Sequence, residues 1–173
     1  MIISDNASTD RTPEICRDYA SKDPRIRYTQ NKWNLGAAEN YNRVFDLSTG
    51  YYFKWAAADD ICTLEFLERC IDVLDNDHEC ILSYPRTKII DQNSQVISSY
   101  RDELDLSSPS PLDRFNQALL MIAECNAVFG LVRSDVLRQT ARIGNYQGSD
   151  VVLLAELSLY GRFHEIPEYL FLR

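Results

Sequence analysis

Blocks of apolar and polar residues change period along the chain, and the changes predict an alternation of strands and helices. Met1-Ile2-Ile3-Ser4 has the texture of a buried strand end. Arg11 to Ser21 then places Ile15, Tyr19 and Ala20 at helical spacing, with Pro13 suited to a first turn and Asp10 or Thr12 to a cap. Asp23-Pro24 is a stop, and Arg25 to Thr29 alternates as a strand does. A polar loop, Asn31 to Gly36, leads to a helix over Ala37 to Leu47. Ser48-Thr49-Gly50 ends that helix, and the apolar run Tyr51 to Ala58 reads as a buried strand. Strand, helix, strand, helix, strand makes two consecutive crossover units and predicts a mostly parallel sheet covered by helices. A helix over Leu64 to Leu74 and a strand over Cys80 to Tyr84 continue the order.

Beyond Pro85 the texture changes. Thr87 to Ile90 and Gln95 to Ser99 flank Asp91-Gln92-Asn93-Ser94, the pattern of a small antiparallel β-hairpin. Asp102 to Pro111 is a polar Ser/Pro-rich loop and reads as mobile. Leu112 to Ala123 is helical, Ala127 to Val132 a strand, and a short helix begins near Ser134. After the polar loop Asn145 to Ser149, an apolar helix runs from Asp150 to Tyr160, Gly161 stops it, and Arg162 to Arg173 is extended. No repeat or linker divides the chain. It reads as a single domain (1–173) in two halves, 1–84 and 85–173.

The 173 residues fall within the usual size of one domain. A net charge of -8 argues against nucleic acid as a partner, because phosphate backbones recruit clustered Lys and Arg. The 5 cysteines are dispersed, without a Cys-x-x-Cys pair, which suits reduced thiols. No stretch approaches the roughly 20 apolar residues of a transmembrane helix. The expected location is the cytoplasm, including attachment to the inner face of the membrane.

Asp59-Asp60 is the strongest chemical feature. Adjacent carboxylates repel, so a compensating cation is expected at the strand end, and Mg²⁺ or Mn²⁺ carrying substrate phosphates is the obvious one. The plainer alternative is a solvated turn with Asp60 capping the next helix. Asp5 to Asp10 offers carboxylate and amide groups ahead of a helix start whose free N–H groups suit phosphate; the alternative is capping by Ser8, Thr9 or Asp10. Asn31 to Asn40 contains Gly36, which permits close backbone approach, or is an ordinary loop. Arg86, Arg101 and Arg114 fit a solvated surface, Trp55 fits the core, and His164 fits a half-buried strand.

Taken together, D-N-A-S-T-D-R-T (Asp5 to Thr12), N-L-G-A-A-E-N (Asn34 to Asn40) and Y-Y-F-K-W-A-A-A-D-D (Tyr51 to Asp60) closely resemble the donor-binding half of inverting family 2 glycosyltransferases. G-S-D-V-V-L-L-A-E-L-S-L-Y-G (Gly148 to Gly161) resembles that family's acidic helix, and I-P-E-Y-L-F-L-R (Ile166 to Arg173) its late strand. The resemblance implies a Rossmann-like nucleotide-diphospho-sugar transferase fold and transfer from a nucleoside diphosphate sugar, usually a UDP-sugar, to a carbohydrate or lipid-linked hydroxyl with inversion. It implies that Asp5 binds the nucleobase with Asn6 and Ser8 nearby, and that Asn34, Gly36 and Asn40 line the diphosphate side. By the same match Asp59 approaches the ribose or sugar, Asp60 holds Mg²⁺ or Mn²⁺ with Asp59, and Asp150 is the general base. Polysaccharide biosynthesis is the implied setting.

The match is incomplete. The family's first strand is missing, its frequent Asp two residues before Asp59 is Ala57, and its acidic pair is Ser149-Asp150. The chain also stops before a downstream His that commonly joins the metal site. These departures predict truncation at the N-terminus and at the C-terminus, and keep alternatives open: a nucleotide-binding or interaction module without catalysis, or a sugar nucleotidyltransferase. An exposed sheet edge is a route to a homo-oligomer.

Overall fold

A computed structural model describes residues 1–173. It divides into two compact units, Met1–Gly50 with Arg142–Gln147, and Tyr51–Ala141 with Gly148–Arg173.

In the first unit, β1 (Ile2–Asp5) and β2 (Arg27–Gln30) pair in parallel through the crossover helix α1 (Thr12–Lys22), with Ile3 opposite Tyr28. The cap position falls on Arg11 rather than on Asp10 or Thr12; Asp10, one residue earlier, accepts the Thr12 N–H at 2.9 Å, and Pro13 follows in the first turn. Helix α2 (Ala37–Asp46) starts at Gly36, whose φ of 84° explains why glycine stands there. Asn42 clasps the returning segment at both ends of one amide, donating to the Ile143 carbonyl at 2.8 Å and accepting its N–H at 3.2 Å.

The second unit contains β3 (Tyr52–Phe53), β4 (Ile61–Cys62), α3 (Phe66–Asn76), β5 (Cys80–Ile90), β6 (Val96–Tyr100), α4 (Pro111–Met121), a 3₁₀ turn (Asn126–Phe129), β7 (Leu131–Arg133), α5 (Ser134–Leu137), α6 (Ser149–Tyr160) and β8 (Arg162–Leu172). The strands form one sheet in the order β3-β7-β5-β8-β4, with β6 on β5. The class is α/β as expected, and the sheet is mixed rather than purely parallel: β5 and β8 run parallel, while β3, β4, β6 and β7 join their neighbours antiparallel. The hairpin forms between β5 and β6. Its first strand is continuous with the strand before Pro85, and the register with β8 shifts on either side of Arg86. A bulge there accommodates a proline that has no N–H for the ladder.

Phe66, Cys70 and Leu74 of α3 pack with Cys80, Leu131, Ile166 and Phe171 in the core. Phe66 and Phe171 meet edge-on at 6.1 Å, and burying each ring contributes roughly 2–3 kcal/mol. Gly161 ends α6 for a steric reason: a Cβ there would lie 2.4 Å from Ile81 Cγ2 and 2.8 Å from the Glu79 carbonyl oxygen.

The structure corrects several expectations. The strand over Tyr51 to Ala58 ends at Phe53, because Ala56 and Ala58 are exposed and small side chains give a strand little to pack. Ala127 to Val132 splits into the 3₁₀ turn and β7. The Asp102–Pro111 segment is a fastened strap: Asp102, Leu104 and Leu106 are buried alternately, the Leu104 N–H donates to the Tyr84 hydroxyl at 2.9 Å, and the Phe163 N–H to the Leu106 carbonyl at 3.3 Å. Arg114 is buried rather than solvated, and its guanidinium donates to the carbonyls of Ser158, Ser108 and Leu159 at 2.8, 2.8 and 3.3 Å. Arg86 pairs with Glu165 at 2.9 Å, while His164 is exposed.

Candidate active site

In the first unit the polar loops after β1 and β2 are tied to each other. Asp5 ends β1 and is buried, with Oδ1 accepting the Ser8 N–H at 2.8 Å and Oδ2 accepting the Tyr28 hydroxyl at 2.7 Å. Burial opposes its charge, yet the bonds from Ser8 and Tyr28 and the nearby Arg17 outweigh it and hold the carboxyl below the usual range. Burial, and next the same Asp5 contact, push the Tyr28 phenol up to about 12.

Asn6 donates to Asn34 Oδ1 at 2.8 Å and to the Gly36 carbonyl at 3.2 Å, and its own Oδ1 accepts the Leu35 N–H at 2.9 Å. Buried Asn31 joins Asn6 Oδ1 at 3.0 Å to Asn40 Oδ1 at 2.9 Å, and Asn40 reaches back to the Ser4 carbonyl at 3.0 Å. The expected residues Asp5, Asn6, Ser8, Asn34, Gly36 and Asn40 therefore occupy one network, and the amides spend their polar atoms on shaping it. Asn31 and Tyr28 are the members that sequence reasoning did not single out. A Cβ on Gly36 would meet nothing within 4 Å, so the start of α2 faces open space.

In the second unit Asp59 is exposed and Asp60 half-buried, in the turn between β3 and β4. Asp60 does not cap α3, whose first residue is Phe66. Its Oδ2 is buried without a hydrogen-bond partner. Burial, then Asp59, raise the Asp60 carboxyl above its ordinary value, while Arg173 and Lys54 pull it down. Lys54 lies in the same apolar run, its Nζ donating to the Trp55 carbonyl at 2.9 Å and sitting 4.7 Å from the Phe66 ring centre. Burial lowers its pKa, opposed by Cys62 and Asp60. A lone lysine inside an apolar run was the legible sign of this role.

Asp150 falls in the first turn of α6, where Gly148 holds the cap position, and its Oδ1 accepts the Val151 N–H at 3.0 Å. The Cys125 thiol, which donates to the Ala123 carbonyl at 3.7 Å, is pushed up to about 12 by burial, then by the charges of Asp150 and Asp102. From there the polar contacts continue: Asp102 Oδ1 accepts the Asn126 N–H at 3.1 Å, and Asn126 Oδ1 accepts from Arg173 Nη1 at 2.8 Å.

A single carboxylate with an unsatisfied buried oxygen suits a divalent cation that draws its other ligands from Asp59, water and substrate phosphates, as Mg²⁺ does. No group of three His, Cys, Asp or Glu side chains forms a ligand set. No helix is long and apolar enough to cross a membrane.

The fold is that of nucleotide-sugar transferases. S. aureus TarS, residues 1–349, solved with UDP, superposes with a TM-score of 0.75 at 15% identity, over 99% of this chain and 50% of that one. Mannosyltransferase PcManGT from Pyrobaculum calidifontis, solved with GDP-Man and Mn²⁺, gives 0.66 at 16% identity, over 99% and 46%. Residues 1–139 match glycosyl transferase family 2, and the chain belongs to that family. An uncharacterized glycosyltransferase of Haemophilus influenzae is 26% identical over 98% of this chain and 54% of its own length. One of Methanocaldococcus jannaschii is 28% identical over 60% of this chain and 36% of its own length.

Proposed function

We propose that the chain is the donor-handling part of a glycosyltransferase that moves a sugar from a nucleoside diphosphate, UDP being the favoured carrier, to a hydroxyl acceptor with inversion. The observation that carries the reading is Asp60, a half-buried carboxylate beside Asp59 whose Oδ2 has no partner. Holding such a group in place costs stability that a cation–diphosphate ligand restores. TarS and PcManGT, solved with UDP and with GDP-Man and Mn²⁺, support the same assignment.

In this reading Asp5 recognises the nucleobase. It is held ionised by Ser8 and Tyr28 and keeps further lone pairs for a base N–H. Asn6, Asn31, Asn34 and Asn40 hold the two loops in shape, and Gly36 opens the α2 N-terminus towards phosphate. Asp60 and Asp59 would hold Mg²⁺ or Mn²⁺, which supplies neutralisation of the charge developing on the leaving diphosphate. Asp150 takes the proton of the acceptor hydroxyl, and attack on the anomeric carbon in a single displacement inverts it. Acceptors are carbohydrate or lipid-linked.

Titration calorimetry with UDP, with and without Mn²⁺, tests the reading. Mn²⁺ should strengthen UDP binding at least tenfold, and Asp60→Asn should abolish that gain. UDP binding indifferent to Mn²⁺ in the wild-type chain sinks the metal assignment, and no binding at millimolar UDP sinks the donor assignment.

A further inference from the structure

Tyr28 is tied to Asp5 more completely than packing requires. In the parallel pair β1–β2, Ile3 stands opposite Tyr28 and Asp5 opposite Gln30, so these four side chains share one face of the strands. Tyr28 spans the diagonal and donates its hydroxyl to Asp5 Oδ2 at 2.7 Å. Its ring is held in turn: the Arg17 guanidinium lies 5.5 Å from the ring centre, and Arg17 Nη2 donates to Gln30 Oε1 at 2.9 Å. Asp5, Tyr28, Arg17 and Gln30 therefore close a circuit, because Gln30 is the strand partner of Asp5. A phenylalanine would fill the same space, so packing alone leaves the half-buried hydroxyl unexplained.

What the hydroxyl adds is direction. The Asp5 backbone is already fixed, since its carbonyl accepts the Asn31 N–H at 2.8 Å. The carboxylate plane is not, because rotation about the last bond of an Asp side chain lies in a broad well. The Ser8 N–H, 2.8 Å from Oδ1, holds one oxygen and Tyr28 holds the other, and two held oxygens define the plane. A charge-assisted O–H···O⁻ bond is among the stronger ones available for this. Burial, then Asp5 itself, push the phenol up to about 12, which keeps it a donor at any working pH. The remaining lone pairs of Asp5 then have fixed directions at the carboxyl end of β1, and an incoming N–H meets little reorganisation there.

We propose that Tyr28 is a positioning residue for nucleobase recognition: its hydroxyl fixes the plane of the Asp5 carboxylate, so that Asp5 receives a ring N–H of the base, N3–H in uracil. The inference rests on the reading of Asp5 as the group that meets the base. It gives Arg17 a part as well, since the guanidinium steadies the ring that carries the hydroxyl.

The test sets UDP against UDP methylated at N3, which keeps the diphosphate, the ribose and the base carbonyls but offers no N3–H. Calorimetry with Mn²⁺ should show wild type preferring UDP about tenfold. Tyr28→Phe loses only the hydroxyl; it should reduce that preference to about twofold by weakening UDP while leaving the methylated nucleotide unchanged. A role confined to structure would weaken both nucleotides alike, and a preference retained in Tyr28→Phe overturns the proposal. Titration of the Asp5 carboxyl by NMR, without nucleotide, reads the link directly: it should lie higher in Tyr28→Phe, because the variant lacks a bond that holds it down. An Asp5 that titrates alike in the two proteins also overturns the proposal. Wild-type protein that binds both nucleotides equally overturns the reading of Asp5 and this inference with it. Wild-type protein that binds no UDP overturns the proposed function alone, and the Asp5 titration still decides the link from Tyr28 to Asp5.

Discussion

Replacing Asp102 by Asn should change stability in a way that depends steeply on pH. The carboxyl titrates near 6 in the folded chain against 3.8 in the unfolded reference. The folded state therefore binds the proton more tightly, so its contribution is fully present below about pH 4 and is lost as pH rises through 6. A difference of about two pH units corresponds to about 3 kcal/mol between the two protonation states. Asn is neutral throughout and still accepts the Asn126 N–H, so this loss is absent in the variant. At pH 4 the two proteins should differ by the cost of one unpartnered buried amide, on the order of 1 kcal/mol. At pH 7.5 the balance should have moved about 3 kcal/mol in favour of Asn. Urea unfolding followed by fluorescence of buried Trp55 measures both free energies, and the contributions of all other carboxylates cancel in the comparison. Parallel stability profiles for wild type and Asp102→Asn between pH 4 and 7.5 would refute the account of Asp102 as a charge held in place against its burial.

Asp150→Asn should leave UDP–Mn²⁺ affinity within about twofold and cut turnover at least about a hundredfold, as expected on removing a general base; steady-state kinetics with calorimetry separates the two. Asp60→Asn should raise the melting temperature in the absence of cation, since the group it removes is disfavoured in its charged form, and calorimetric scans with and without Mn²⁺ check this. Asn31→Ala should cost about 1–2 kcal/mol by removing one of two donors from each of Asn6 Oδ1 and Asn40 Oδ1, which keep the Leu35 N–H and the Ser4 hydroxyl, and should weaken UDP binding as the loops loosen. Arg114→Met fills similar space but leaves three carbonyls without their donor, and urea unfolding should show a loss of about 2–4 kcal/mol.

Much of the fold was legible in local pattern. The helices over 12–22, 37–46 and 66–76 follow from apolar spacing and stop signals, and Asp10 accepts the first N–H of its helix from one residue before the cap. The residues around Asp5 and Asn34 were legible because capping residues, glycine and amides cluster at defined offsets, and the network that joins them forms in the structure. Asp60 was legible through its neighbour, Asp59. Arg173 and Asp102 carried no local signal, because each acquires its role from a partner far away in the chain: Arg173 from Asn126, and Asp102 from the turn at Asn126. Arg114 misled for the same reason; a charged residue on a helix is solvated unless distant carbonyls happen to converge on it.

The sequence by itself determined much of the alternation of elements and the family, and nominated the carboxylates and amides of the proposed site, because propensity, capping and motif spacing are short-range properties. Tertiary structure alone decided that the sheet is mixed, that the Tyr51 run yields only a two-residue strand, and that the Asp102 strap is fastened. Strand direction and burial are settled by which distant segment fills the space beside a strand, and that competition has no local signature. For Asp59-Asp60, the sequence identified the pair; the fold singled out Asp60 as the member with a buried oxygen still in want of a partner.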